Sequence, residues 1–369
     1  MAFEILSGEG ETATRWTALV ARLPSHLRDI HFLPEYGRIY REAYGFTPFL
    51  AVHFDADNFV LQPFVRRPLQ DLPFLAEAAD KGAFSDIANP YGYGGPLSNV
   101  SESGAAQGLY GKFAELLSAW CCSEQIASEF TSLHPFMAQH QRSLVDGVLA
   151  PEYAKEVVFI DLDADGQHFK ESFRKGHRSS ISAAVRAGIQ VARVEPTAAN
   201  LKLFNEMYEE TMVRRNAADR WFVPEDYFER CIVSLGEKRA SLVFAYVGDR
   251  LESGCLLIHD FDTAYYHFAA TYANHPASGV NNLMVFEAAN IAGSMGYRRL
   301  HLGGGVTGAE DDSLLRFKAG FSNLRAPLYT YFSIRDRAAY ERLCTRKRAY
   351  EVATAGAESL SDFVPVYRR

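Results

Sequence analysis

Twice along this chain two apolar, β-rich runs flank a tight polar turn, and that repetition constrains the fold more than any other feature. "LAVHFDADNFVLQPFV" turns at Asp55–Asn58, and "LVFAYVGDRLESGCLLI" turns at Gly248–Asp249. Each reads as an antiparallel hairpin. The second continues past Asp260–Asp262 into "TAYYHFAATY", which predicts three antiparallel strands. In each half the sheet region is followed by one long helix, Ala105–Cys122 or Asn281–Met295, and a further strand, Ile126–Ser132 or Arg299–Leu302. The echo is one of pattern and not of residue identity, and it predicts a duplicated fold. At roughly 100–200 residues per domain, 369 residues accommodate both copies. The expectation is an α/β (α+β) chain of two domains, 1–150 and 151–369, each a mixed, largely antiparallel sheet flanked by helices.

The remaining elements follow from local signals. A strand is expected at Phe3–Leu6, with helices over Glu11–Arg22 and Pro34–Ala43, the latter opening on a proline. Strand Val157–Leu162 leads into a long helix over Gln167–Ala187, which Gly188 ends. Strand Ile189–Val194 and helices Ala198–Arg215 and Pro224–Leu235 come next. A short helix carrying Lys318, a strand at Leu328–Ile334 and a basic terminal helix close the chain.

Net charge is -7, so any contact with phosphate or nucleic acid must use a local basic patch. The odd count of five cysteines, widely spread and without a C-x-x-C pair, argues against a disulfide framework or zinc site and for a reducing cytoplasm. The acidic N-terminus lacks a signal peptide's apolar core. No run approaches 18 uncharged apolar residues, so no membrane span is expected. H-E-x-x-H, G-x-S-x-G and G-x-x-x-x-G-K-[ST] are all missing, which removes support for metalloprotease, serine hydrolase and P-loop readings.

Three stretches carry candidate chemistry. Lys170, Arg174 and Arg178 recur every fourth residue and would share one helical face, with Lys175 beside them. No acid lies between Ser172 and Val194. Like charges at this spacing cost a few tenths of a kcal/mol per pair, which an anionic partner would offset; a solvated face is the alternative. "LHLGGGVTG" places Gly303, Gly304 and Gly305 after a strand, where backbone can approach a ligand closely or simply turn. Just beyond it, "LLRFKAGF" sets one cation, Lys318, in an apolar run, pointed at something anionic or merely at solvent. In "NPYGYGGP", Tyr91 and Tyr93 alternate with glycines, and both rings could cover a ligand.

Taken together, "FRKGHRSSISAAVRAGIQV", "SGVNNLMVFEAANIAGSMGYRRLHLGGG" and "LLRFKAGFSN" occur in the order seen in Fem-type peptidyltransferases, the tandem GNAT-fold (acetyltransferase-fold) enzymes that build peptidoglycan side bridges. The resemblance is clearest over residues 155–335, and "NPYGYGGP" is similar to a loop in the first half of many relatives. It implies two GNAT-like domains with the site between them. Phe317 and Lys318 match the family's Phe-Lys pair, and Arg178 matches its basic segment. Lys318 would stabilise negative charge on the acyl carbonyl or a nearby phosphate. Lys170, Arg174, Lys175, Arg178, Tyr91, Tyr93, Asn281, Asn282 and the three glycines would bind substrate or phosphate.

The implied reaction moves an aminoacyl group from aminoacyl-tRNA to an amino group of a nucleotide-sugar cell-wall precursor or other small amine. It needs no cofactor, metal or covalent enzyme intermediate, because the donor is already activated. Two departures stand out. His301 occupies a place where many relatives have an aspartate before the glycine run, and the second half has no coiled-coil arm. An acyl-CoA-dependent N-acyltransferase acting on a sugar or amino acid stays open, as does a non-catalytic binding protein. Against CoA, the pyrophosphate cradle [Q/R]-x-x-G-x-[G/A] is missing: the corresponding stretches read "HPASGVNN" and "SESGAA". His267, Tyr266 and Asp312 are candidate general bases, alongside substrate assistance.

Overall fold

A computed structural model describes residues 2–75, 84–162, 168–273, 279–307, 309, 311–356 and 364–368. In chain order it forms β1 (Ala2–Ser7), α1 (Gly10–Arg22), α2 (Pro34–Tyr44), β2 (Thr47–Asp55), β3 (Asn58–Pro68), β4 (Ser85–Ala88), β5 (Leu97–Ser98), α3 (Ser103–Ser123), β6 (Ile126–Ser132) and α4 (Ala138–Val145). Next come β7 (Glu152–Asp161), α5 (Lys175–Arg186), β8 (Ile189–Val194), α6 (Ala198–Arg214), α7 (Tyr227–Leu235), β9 (Ala240–Val247), β10 (Arg250–Asp260) and β11 (Thr263–Thr271). The chain closes with α8 (Val280–Ser294), β12 (Arg299–Gly303), α9 (Ser313–Lys318), β13 (Arg325–Ile334) and α10 (Arg337–Ala355).

Two compact units result, Met1–Ala154 with Leu328–Arg369, and Lys155–Pro327. The single division expected near residue 151 therefore differs from the observed one at the C-terminus. The reason is strand pairing: Thr330 to Ile334 of β13 run antiparallel to Ser132 to Ser128 of β6. A buried carboxylate reinforces it. Glu129 of β6 accepts from Gln62 (2.6 Å), the Tyr331 hydroxyl (2.6 Å) and Arg335 Nε (3.0 Å). Burial pushes the Glu129 carboxyl up, but the guanidinium and the hydroxyl donors outweigh it and hold it below its usual range. Leu343 and Cys344 of α10 pack with Leu69, Leu75 and Phe84 of the first unit.

The two sheets repeat one plan. In the first unit β1, β2, β3 and β4 run antiparallel in turn, and β6 lies parallel to β4. In the second, β8, β9, β10 and β11 run antiparallel in turn, and β12 lies parallel to β11. In each, a long helix, α3 or α8, precedes the parallel strand, as a crossover to a parallel neighbour requires. Beside β6 stands the antiparallel β13, and beside β12 the antiparallel β7. The duplication read from the hairpins is thus present in topology.

Alternation along the strands covers both faces. Leu50 and Val52 of β2, with Phe59 and Leu61 of β3, pack with Trp16, Leu19 and Val20 of α1. Ala51 and Val60 point the other way, onto Tyr110, Phe113 and Leu117 of α3. In the second unit Val243, Ala245, Cys255 and Leu257 face Phe173, Ile181, Leu283 and Met284. On the opposite side Phe204, Tyr208, Phe228 and Phe268 meet edge to face, with centroids 4.6 to 5.4 Å apart.

One helix departs from expectation. Instead of a continuous helix from Gln167, whose position lies outside the described residues, a 3-10 turn spans His168–Ser172 and α5 starts at Lys175. Arg174, the N-cap, has φ -57° and ψ 145°, and its backbone N–H donates to Gly320 O at 2.8 Å. Phe169 and Phe173 are both buried in the core. All five cysteines are free thiols. Among the described residues no helix is long and apolar enough to cross a membrane.

Candidate active site

The second unit gathers three charged side chains around the glycine triplet at the end of β12. Lys318, the last residue of α9, donates from Nζ to Gly304 O at 2.8 Å. Lys155, on β7, donates to the next carbonyl, Gly305 O, at 2.9 Å. Asp312 caps α9: its Oδ1 accepts from the N–H groups of Leu314 and Leu315, both 2.9 Å, and its Oδ2 from Thr307 N at 2.7 Å.

The triplet is glycine for reasons of space. A Cβ on Gly303, where φ is +79°, would lie 3.2 Å from Lys318 Nζ. One on Gly304 would lie 2.8 Å from Glu156 O and 3.3 Å from Lys155 Cδ. One on Gly305 would fall 2.5 Å from the Asp312 carboxyl carbon. Each glycine makes room for a different charged neighbour.

These surroundings decide the protonation states. Lys318 is half-buried as a residue, but burial of its ammonium, helped by the like charge of Lys155 and opposed by Asp312, pushes its pKa down to about 7. Burial lowers Lys155 as well. Burial raises the Asp312 carboxyl, but the donors on its oxygens win and hold it at about 2. A carboxylate so occupied is a cap, which counts against Asp312 as general base. Burial drives Tyr266 well above its usual range. His267 packs edge-on against Phe268, centroids 4.6 Å apart.

Phe317 and Lys318 are braced from α5. The Nε2 of His177 lies 2.9 Å from Phe317 O, so that nitrogen carries the proton. Its ring meets Phe321 edge-on at 4.5 Å and Phe317 at 5.5 Å. Gly320 lets this happen: a Cβ there would sit 2.1 Å from His177 Nε2.

The predicted basic face is not formed as one surface. Lys170 lies on the 3-10 turn with its ammonium 4.8 Å from the Phe286 ring centroid. Arg178 folds back to donate to Glu171 O and Phe173 O at 2.8 and 2.7 Å, bracing the entry to α5. Arg174 and Lys175 are exposed. The four-residue spacing misleads because only Lys175 and Arg178 are within the helix.

Asn281 and Asn282 stand in the first turn of α8, after Gly279 at φ +83°. The Thr271 hydroxyl donates to Asn281 Oδ1 at 2.7 Å. Most of the preceding "HPASG", the stretch that corresponds to a CoA cradle, lies outside the described residues. Tyr91 and Tyr93 belong to the first unit and differ in exposure, 46% against 8%. Tyr93 packs on His31 and His134, with centroids 5.2 and 5.3 Å away.

Those two histidines and Asp29 are the one group among the described residues with the composition of a metal site. Their atoms are engaged with one another. His31 donates from its backbone N–H and Nδ1 to Asp29 Oδ1 at 3.0 and 2.6 Å, and His134 Nε2 stands 3.4 Å from Oδ2. Although burial raises Asp29, the two imidazoles hold it well below its usual range. The cluster reads as a buried hydrogen-bonded network against which Tyr93 packs.

Sequence reasoning missed Lys155 and His177. His177 sits inside the quoted basic stretch, but only the contact with Phe317 O distinguishes it from a solvated side chain. Lys155 carries no local signal at all.

Residues 171–318 match the family model described as acetyltransferase (GNAT) domain. Among curated proteins, none matches the sequence. Among solved structures, the chain is similar to FemX, with TM-score 0.66 and 14% identity over 93% of this chain and 99% of that one. It is also similar to the C-terminal domain of a putative lysylphosphatidylglycerol synthetase from Agrobacterium fabrum, with TM-score 0.52 and 15% identity over 96% and 99% of the two chains. L-PGS from Bacillus licheniformis gives TM-score 0.53 and 13% identity over 90% and 94%. The chain shares the fold of FemX, and its residues 171–318 match a GNAT acetyltransferase domain model.

Proposed function

We propose that this chain is an acyltransferase that forms an amide, moving an aminoacyl group from aminoacyl-tRNA to an amino group of a cell-wall precursor or another small amine. The observation that carries the reading is the Lys318 ammonium, withdrawn from water and held on Gly304 O within the acetyltransferase-type segment. An ammonium has three N–H donors, and Gly304 takes one. The other two are available to an oxyanion.

In the reaction the acceptor nitrogen attacks the ester carbonyl carbon. A C–N bond forms, the carbonyl oxygen becomes an oxyanion, and Lys318 stabilises it. The C–O bond to the ribose then breaks, and the proton lost by the amine ends on the leaving ribose oxygen. Preorganised charge of this kind is commonly worth about 3–4 kcal/mol of barrier. A desolvated cation is stronger there than one in water.

A second reading, acyl-CoA as donor, is favoured by the acetyltransferase model matched by residues 171–318. Thermal unfolding in the presence of each donor separates the two. Aminoacyl-tRNA is expected to raise the midpoint by a few degrees and acetyl-CoA to leave it unchanged. Protection by acetyl-CoA alone would replace the first reading with the second.

A further inference from the structure

We infer that Lys155 is a positioning residue of this site, clamping the glycine loop so that Gly304 O holds the Lys318 ammonium where an acyl oxygen gains charge. The inference rests on the reading of Lys318 proposed above. Its basis is the order of the contacts. Two ammoniums from distant parts of the chain take consecutive carbonyls, Gly304 O and Gly305 O, at nearly equal distances of 2.8 and 2.9 Å. The stem of Lys155 runs past Gly304, where a Cβ would come within 3.3 and 3.4 Å of its Cδ and Cε. Gly304, whose carbonyl receives Lys318, is therefore covered on its Cβ side by Glu156 O, at 2.8 Å, and by the stem of Lys155.

A tether alone would not need a charge. A second ammonium beside the first costs electrostatic energy, and a neutral side chain could cover the same glycine. The groups facing the pair account for how the cost is managed. Asp312, at the start of α9, supplies the opposing negative charge, while its oxygens accept from backbone N–H groups and from Thr307. Arg220 adds further positive charge on the Lys155 side. His301 of β12 reaches within 3.9 Å of the Cβ position of Gly303, and His177 of α5 holds Phe317 O. The positive charge of Lys155, held on Gly305 O, makes the proton of Lys318 easier to release. An oxyanion beside Lys318 would offset this repulsion and favour the charged form of Lys318.

The test uses the full chain and Lys155→Met, Lys155→Arg and Lys318→Met variants. Titration of the Lys318 ammonium by NMR of isotopically labelled lysine needs no substrate. In Lys155→Met the Lys318 midpoint is expected to rise by about one pH unit, while Lys155→Arg leaves it near the wild-type value. In aminoacyl transfer, Lys155→Met is expected to lower kcat about tenfold with little change in KM and to move the alkaline limb up with the Lys318 midpoint. Lys155→Arg is expected to restore part of the rate. An unmoved Lys318 midpoint in a folded Lys155→Met protein overturns the inference, as does an unchanged kcat. Full transfer by Lys318→Met would instead overturn the proposed function and leave the titration result standing.

Discussion

Lys318 is kept charged at a cost to the fold. An ammonium whose pKa falls from 10.5 to about 7 on folding binds its proton more weakly in the native chain than in the unfolded one. That cost is fully present below about pH 7. It fades as pH rises from 7 towards 10.5, where the unfolded chain also gives up its proton. Replacing Lys318 with methionine is therefore expected to stabilise the protein by roughly 1–3 kcal/mol at pH 6, after loss of the bond to Gly304 is subtracted. The gain is expected to shrink by pH 9.5. Calorimetric unfolding at the two pH values reads this directly, and a variant less stable than wild type at pH 6 would show that the ammonium supports the fold. At this scale the sequence was partly legible. A cation isolated in "LLRFKAGF" stands out, and so does the triplet before it. The lysine beside it does not, because Lys155 reaches the triplet across 150 residues and nothing local marks it.

At the level of elements, the segment from α9 to Phe321 is locked to the start of α5 by two backbone-directed bonds and a ring stack. Arg174 N reaches Gly320 O, His177 Nε2 reaches Phe317 O, and Phe321 stacks edge-on with His177. Gly320 is the narrow point, since a methyl there would overlap the imidazole. Gly320→Ala is expected to destabilise by about 1–3 kcal/mol through displacement of that ring. In a His177→Ala background the same change should cost less than half as much, because the obstacle is gone. Denaturant unfolding of the four proteins of this cycle gives the coupling, and an additive result would remove His177 as the brace. The hairpins were readable because alternation and tight turns are local signals. The break before α5 was not. Phe169, Lys170, Phe173, Arg174 and Arg178 fit a helical pattern, and the chain leaves it where Arg174 N bonds to Gly320 O and Arg178 bonds to Glu171 O and Phe173 O. The basic stripe dissolved with it, since its charges depended on a continuous helix.

For the molecule as a whole, duplication was legible and the return of the C-terminal segment to the first unit was not. Topology repeats because the same strand–turn–strand pattern recurs, and a pattern is a property of sequence. The return of Leu328–Arg369 to the first unit rests on long-range pairing of β13 with β6 and on the Glu129–Arg335 network, neither of which has a local signature. As the proposed acyltransferase, the molecule would work through one desolvated ammonium, that of Lys318. The direct measurement is kcat/KM for aminoacyl transfer by wild type and Lys318→Met across pH 5.5 to 9. The account predicts a wild-type profile that falls above about pH 7, as Lys318 loses its proton, and a loss of about 10²–10³-fold in the variant. A variant within twofold of wild type, with the same profile, would contradict it.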